Sequence, residues 1–188
     1  MKRNLITAVL MTIVTTVLLG IIYPLTVTAL AQLIFHDKAN GQLIPGANGP
    51  IGSRVIGQTF VSDKYFHSRP SAAGNGYDAG NSSGSNLGPT NQKLIDRVKT
   101  DTATAKADNT NQPVPADLVT TSASGLDPDI TPAAALFQVP RIARVRGLSE
   151  DTVRALVESH IQQRQLGFLG EPRVNVLELN LALDQAGK

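Results

Sequence analysis

The feature that most constrains this chain is a stretch near its start, residues 4–35, that contains no charged side chain. A helix needs roughly 20 apolar residues to cross the hydrocarbon core of a bilayer, which is about 30 Å thick. Residues 5–25 supply that length, so we predict one transmembrane helix there, with helix continuing to Phe35. Lys2 and Arg3 precede it, and basic residues favour the cytoplasmic side. The sequence therefore predicts a cytoplasmic N-terminus at residues 1–4 and an extracytoplasmic remainder at residues 26–188.

A cleaved signal peptide is the alternative interpretation of the same stretch. Ala29-Leu30-Ala31 has the form of an A-x-A cleavage site. The apolar core of a signal peptide typically has about 7–15 residues, and this stretch is longer. The length therefore favours a retained anchor.

Small or backbone-modifying residues recur at every fourth position of the anchor: Ala8, Thr12, Thr16, Gly20, Pro24 and Thr28. Positions four apart lie nearly above one another on a helix. In lipid, small residues let a second helix approach closely, and threonine hydroxyls can bond across the contact. We predict a helix-docking face at Thr12, Thr16 and Gly20. The plainer alternative is that threonine and glycine are simply common in membrane spans.

Composition limits the part of the chain after the anchor to one modest domain, since about 150 of the 188 residues remain. The chain has no cysteine, which excludes disulfides, cysteine-ligated zinc and thiol catalysis. A net charge of +2 without a long basic block argues against nucleic acid as a partner.

Local patterns predict an α+β fold: one transmembrane helix, then a small exported domain of helices with a few short strands. Residues 91–107 form the first predicted helix of the domain. Thr131, followed by Pro132, caps a second helix that has a break or kink at Pro140 and ends at Gly147. Ser149 caps a third helix, which is expected to end near Gly167.

The remaining segments of the domain are less regular in sequence. Short strands are expected at residues 54–61, 65–67 and 173–176, and a helix after the last of these. Four glycines and two prolines at residues 41–53 predict a loop.

Residues 68–91 form a long polar segment that contains five glycines, five serines and four asparagines. Loops longer than about 12–15 residues are usually functional or disordered. The varied composition of this one predicts an ordered loop that lies against another surface. Arg69, Tyr77 and Asn86 are its candidate partner contacts.

Short catalytic motifs in this loop lack the structural context that they need. Residues 80–84 match the G-x-S-x-G nucleophile elbow, which works only on a tight strand-to-helix turn. Gly74, Gly76 and Ala79 imitate a dinucleotide fingerprint, again without the preceding strand. The three histidines are far apart in sequence. We therefore assign no catalytic residue and no metal ligand.

Many ungapped blocks, in one order along nearly the whole chain, carry a resemblance to a known family. They are residues 56–58, 65–71, 83–87, 122–127, 130–132, 137–141 and 180–184, together with the N-terminal span. In these blocks the chain resembles the C subunit of the Kdp-type potassium-transporting ATPase of bacteria and archaea.

The resemblance implies a non-catalytic accessory subunit of a high-affinity, ATP-driven potassium import complex. Its implied partners are a channel-like K⁺-translocating subunit, a P-type ATPase subunit and a very small membrane peptide. The family is also described as a catalytic chaperone that raises the ATP affinity of the ATPase subunit. Mapped onto this chain, Gln138 is the candidate nucleotide contact. The predicted topology places Gln138 outside the cell, away from cytoplasmic ATP. We therefore assign no cofactor to the chain itself and expect a role for ATP only through the complex.

Two other functions fit parts of the sequence. One is an anchored extracytoplasmic binding or sensor module that acts alone. The other is a secreted serine hydrolase released after Ala31, with Ser82 as its nucleophile.

Overall fold

The fold was taken from a computed structural model, which describes residues 1–186. The chain divides into two compact units, one of residues 1–43 and one that begins at Ile44. The α+β architecture predicted from the sequence is confirmed, with a long apolar N-terminal helix, several further helices and a few short strands.

The first unit is dominated by a 33-residue helix, Lys2–Ile34, which is long and apolar enough to cross a membrane. It consists of α1 (Lys2–Thr15), a π-helical segment (Thr16–Ile22) and α2 (Tyr23–Ile34). A short helix, α3 (His36–Ala39), comes directly after it. None of the residues of the long helix is buried within the protein. Its apolar surface is therefore left for another apolar environment.

The π-helical segment lies directly before Pro24, and the proline explains it. Proline has no N–H to donate, and its ring clashes with the carbonyl group four residues earlier in an ordinary α-helix. Widening the preceding turn relieves that clash, and here the Tyr23 N–H bonds to the Leu18 carbonyl, five residues back.

After the paired strands β1 (Leu43–Gly46) and β2 (Gly49–Ser53), a sheet of three short antiparallel strands and four helices organise the second unit. The strands are β3 (Asp129–Ile130), β4 (Ile161–Gln162) and β5 (Arg173–Asn175), in the order β3-β5-β4. Val174 of β5 pairs with Ile130 on one side and with Ile161 on the other. The helices are α4 (Gln92–Asp108), α5 (Pro132–Arg146), α6 (Glu150–Ser159) and α7 (Val176–Ala186), and a 3₁₀ turn covers Ala116–Leu118.

The hydrophobic core lies where α5, α6 and α7 meet the central strand. Its buried members are Phe66, Ile130, Ala134, Ala135, Val139, Ile142, Ala143, Val153, Val157, Val174, Val176, Leu179 and Leu183. Burial of each large side chain contributes about 1.5–3 kcal/mol. The alanines and valines of α5 and α6 let these helices pack closely.

The caps predicted at Thr131, Gly147 and Ser149 are confirmed. Thr131 Oγ1 accepts from the Ala134 N–H at 3.2 Å, and Ser149 Oγ accepts from the Thr152 N–H at 3.1 Å. Gly147 ends α5 in the left-handed conformation, with φ of +66°. Pro140 lies inside α5 and does not end it.

Several predicted boundaries were wrong. Residues 41–53, expected to be a loop, contain the paired strands β1 (Leu43–Gly46) and β2 (Gly49–Ser53). Helix α6 ends at Ser159 rather than near Gly167, because the chain turns there to pair Ile161 with the central strand.

The described residues form no strand at 54–61 or at 65–67, where strands were expected. The first of these segments makes only an isolated β-bridge, between Ile56 and Ser53. The backbone of this region bonds to partners outside any ladder. The Gly57 N–H donates to the Leu126 carbonyl at 2.8 Å. The backbone of Phe66 and His67 bonds to side chains from two helices.

Candidate functional site

The 68–91 loop has no helix or strand, and it is fastened to residues 120–127 of the same chain. The Ser124 carbonyl accepts from the Ser83 N–H at 3.0 Å and from Ser82 Oγ at 2.9 Å. Ser71 Oγ donates to the Gly125 carbonyl at 2.6 Å. The loop is therefore held by many polar contacts rather than by an apolar core.

Two of the three predicted partner residues of this loop hold the loop itself together. Arg69 Nη1 lies 3.0 Å from Asp127 Oδ2, and Arg69 Nε donates to the Thr120 carbonyl at 3.4 Å. The Tyr77 hydroxyl donates to the Arg69 carbonyl at 2.8 Å. Burial is the main cause that raises the pKa of Tyr77. The third residue, Asn86, is exposed and adopts a φ of +51°.

Gln138, the candidate nucleotide contact, is only 2 % exposed and lies on α5. Its Oε1 accepts from the His67 N–H and from Arg141 Nη2, each at 2.8 Å. Its Nε2 donates to the His67 carbonyl at 3.1 Å and to the Ala134 carbonyl at 3.2 Å. Both ends of the amide are therefore engaged inside the domain.

Arg141 lies one turn further along α5 and is also 2 % exposed. Its Nη1 donates to the carbonyls of Asp63 and Tyr65, and its Nε lies 2.9 Å from Asp108 Oδ2 at the end of α4. Burial lowers the pKa of Arg141, and the Asp108 carboxylate opposes that effect. This guanidinium joins α4, α5 and the 63–67 segment.

A pocket of about 230 Å³ lies beside this polar centre, and its lining includes His67, Asp101, Thr104, Asp108 and Gln138. Burial, followed by the nearby charge of Arg141, lowers the pKa of His67. Two carboxylates face the pocket, and no lysine or arginine is among its described lining residues. Asp101 is paired with Arg97 and Asp108 with Arg141, so these carboxylates are neutralised, and the described lining presents no cationic side chain to a triphosphate.

The predicted helix-docking residues lie on the exposed N-terminal helix. Thr12 Oγ1 donates to the Ala8 carbonyl at 2.9 Å, which satisfies its hydroxyl within the helix. A Cβ added at Gly20 would lie 3.9 Å from Thr16 Cγ2, so these two positions are neighbours on one face. In an α-helix, positions four apart drift by about 40° around the axis. The π-helical turn winds less per residue, so it reduces that drift where Thr16 and Gly20 occur.

The motifs rejected in the sequence have structural explanations. Ser82 of the G-x-S-x-G match lies in the polar loop, where its hydroxyl donates to the Ser124 carbonyl. His160 is half-buried at the end of α6, and its Nδ1 lies 2.8 Å from the Leu156 carbonyl. Within residues 1–186, no group of three or more histidine, aspartate or glutamate side chains could hold a metal ion.

Sequence reasoning missed the role of the buried asparagines. Asn109, Asn175 and Asn180 are 7 %, 4 % and 2 % exposed. Asn109 Nδ2 donates to the Phe137 carbonyl at 3.1 Å, and Asn175 Nδ2 donates to the Arg54 carbonyl at 2.9 Å. A signal was available for Asn175 and Asn180, because each lies between valines or leucines at positions that a core should occupy.

An exposed apolar helix that is long enough to cross a membrane, attached to a small α+β domain, defines the class: a membrane-associated protein with one candidate span among residues 1–186. Residues 5–185 match the family described as KdpC, the c chain of the K⁺-transporting ATPase. The chain belongs to this family. It is accordingly a subunit of a K⁺-transporting ATPase, and the ATPase activity belongs to the complex.

Curated relatives support the same assignment over the full length. A potassium-transporting ATPase KdpC subunit of Koribacter versatilis is 66 % identical over 184 residues, which cover 98 % of this chain and 95 % of the relative. A KdpC subunit of Caulobacter vibrioides is 59 % identical, covering 90 % and 86 % of the two chains. One from Rhodopseudomonas palustris is 55 % identical, covering 99 % and 100 %.

Proposed function

We propose that this chain docks through its N-terminal helix into a high-affinity, ATP-driven potassium import complex and assists its assembly. Its partners would be the channel-like K⁺-translocating subunit, the P-type ATPase subunit and the small membrane peptide. Family membership supports a multi-subunit complex. The observation that carries the docking proposal is the 33-residue helix, none of whose residues is buried, with small residues along one face.

The proposed orientation has residues 1–4 in the cytoplasm, residues 5–25 in the bilayer and residues 26–188 outside. The support is Lys2 and Arg3 at the start of a stretch that is otherwise uncharged. The chain has no cysteine, so an introduced one is a unique reporter. We expect Asn111→Cys, at an exposed position, to react with an impermeant maleimide in intact cells. Protection until the cells are lysed would reverse the orientation.

We further propose that the chain raises the ATP affinity of the P-type ATPase subunit through the complex. A direct ATP contact at Gln138 would require its amide to leave His67 and Arg141. The described lining of the pocket beside it also contains no lysine or arginine that could bind a triphosphate. Conformational coupling through the partner subunits requires neither the release of the Gln138 amide nor the binding of a triphosphate beside it.

The docking proposal is tested by adding bulk to the small-residue face. We expect Gly20→Leu and Thr16→Leu to reduce co-purification with the two large subunits and to impair potassium uptake at low external K⁺. The matched control is Leu18→Phe, which adds bulk two residues away from each, on the opposite side of the helix. A solitary anchored sensor would tolerate all three variants, and unchanged uptake in a deletion strain would refute the proposed function itself.

A further inference from the structure

A ten-residue connector, residues 163–172, extends from the sheet of the second unit between β4 and β5. It is closed by Gln165 and Leu169, which exchange two backbone hydrogen bonds of 2.9 Å. The Phe168 N–H adds a bond of 3.2 Å to the Gln165 carbonyl, and Arg164 pairs with Glu171 at the base of the connector. The connector therefore holds a defined hairpin shape on edge strand β4.

The tip of this hairpin, residues 166–169, presents apolar side chains to solvent. Leu166 is 83 % exposed, Phe168 is 68 % exposed and Leu169 is 48 % exposed. These side chains contribute little to the core of their own domain. Contiguous exposed apolar side chains of this kind mark interaction sites.

Leu166 is also in an unfavourable backbone conformation, with φ of +53°. Glycine or asparagine suits that conformation, whereas a γ-branched side chain is strained in it. The leucine thus adds both strain and exposed apolar surface to the isolated domain. Both are explained if the side chain is buried in a partner.

Charge identifies the kind of partner. Residues 162–171 carry one arginine and one glutamate, which pair with each other, so the hairpin has no net charge. Attraction to an anionic lipid surface depends on clustered basic residues, and the hairpin has none. Its three glutamines, Gln162, Gln163 and Gln165, suit hydrogen bonds to the rim of a protein interface.

We infer that the 166–169 tip docks into an apolar pocket on another subunit of the same transport complex. Phe168 and Leu166 are the anchors, and the glutamines at the base meet the polar rim of that pocket. The inference rests on the proposed function, because it needs the chain to assemble with larger subunits.

Photo-crosslinking in the assembled complex identifies the occupant directly. We expect a benzoylphenylalanine at position 168 to crosslink to one of the larger subunits, and the same group at Val145, which is 47 % exposed on α5, to do so far less. Crosslinks to lipid or to a second copy of this chain would overturn the inference. Co-purification of the unmodified chain is scored separately, so failure of assembly itself refutes the proposed function instead.

Substitution supplies a second test with opposite effects on stability and assembly. Leu166→Asn relieves the backbone strain and removes the apolar anchor. We expect the full-length variant to unfold at the same or a higher temperature and its association with the complex to weaken about tenfold or more, as for an interface hot spot. Phe168→Ser should weaken association similarly, and Val145→Ser should not. Wild-type association of both tip variants would overturn the inference.

Discussion

The side chain of Asn180 closes a pair of hydrogen bonds on the backbone of Phe66. Asn180 Oδ1 accepts from the Phe66 N–H at 2.8 Å, and its Nδ2 donates to the Phe66 carbonyl at 3.0 Å. Gln138 does the same for the next residue, His67. Two amides on different helices thus bond to the backbone of a segment that belongs to no helix or strand.

Removal of the Asn180 amide should destabilise the domain strongly. Asn180→Leu keeps the branched shape and the number of side-chain heavy atoms but leaves the N–H and carbonyl of Phe66 buried without partners. Each of the two groups costs about 1–3 kcal/mol, so we expect a loss of about 2–6 kcal/mol. Urea unfolding of the full-length chain in detergent, followed by circular dichroism, measures it. Asn111→Leu, at an exposed position, is the control and should change stability by less than about 0.5 kcal/mol.

The Asp108–Arg141 pair should be asymmetric. Arg141 is almost fully buried, whereas the side chain of Asp108 is 34 % exposed. Asp108→Ala leaves a buried guanidinium without its counter-charge, which costs about 3–5 kcal/mol in a fully buried pair and less here because water reaches the site. The control is Asp101→Ala, which removes the partner at 3.7 Å of Arg97, an arginine that is 28 % exposed rather than 2 %, and should cost below about 1 kcal/mol.

A double-mutant cycle checks the same pair. In Asp108→Ala with Arg141→Met, the stranded charge is removed together with its partner, so the combined loss should be clearly smaller than the sum of the single losses. Additive losses would show that the two side chains stabilise the domain independently.

The sequence was sufficient where the determinants are local. The caps at Thr131 and Ser149 act within three residues, and Gly147 ends a helix through its own backbone conformation. The apolar helix could also be predicted from the sequence because it depends on composition, and the family could be predicted because it depends on ungapped sequence blocks.

The parts that the sequence did not predict depend on distant partners. Asn180 binds a backbone group 114 residues away, and Gln138 binds one 71 residues away. Strands β3 and β4 have two residues each, too few to show alternation, and their pairing with β5 makes them strands. Arg69 and Tyr77 bond to the loop and to residues 120–127, contacts that no local pattern could indicate, and their contact with a partner stays a prediction.

His67 should make stability depend on pH below its ordinary pKa of 6.5. Burial and the charge of Arg141 lower the pKa of His67 in the folded protein. As pH falls below 6.5, the unfolded chain therefore takes up a proton that the folded chain resists, and stability decreases. Unfolding measured between pH 7.5 and pH 5.5, a range chosen roughly to bracket that value, should show this slope. His67→Gln should flatten it.

Gly125 lies against the base of the 68–91 loop, and Gly147 ends α5, yet the two have nearly the same φ. Comparing an alanine substitution at each position therefore separates the cost of backbone strain from the cost of a steric clash. Gly125 has φ of +67° and Gly147 has φ of +66°. A Cβ at Gly147 would meet open space, whereas one at Gly125 would lie 2.6 Å from the Ser83 carbonyl oxygen and 2.7 Å from the Ala73 nitrogen. Gly147→Ala should therefore cost only the left-handed backbone term, about 1–2 kcal/mol.

Gly125→Ala should cost clearly more than Gly147→Ala, since the added methyl group must also push the loop away from residues 120–127. The loop should then become sensitive to proteolysis while α5 and α6 stay folded, because its contacts to Ser124 and Gly125 are polar and separate from the core. Limited proteolysis with mass spectrometry, alongside urea unfolding, measures both effects. Equal losses for the two alanine variants, with an intact loop, would mean that residues 120–127 do not hold the loop in place.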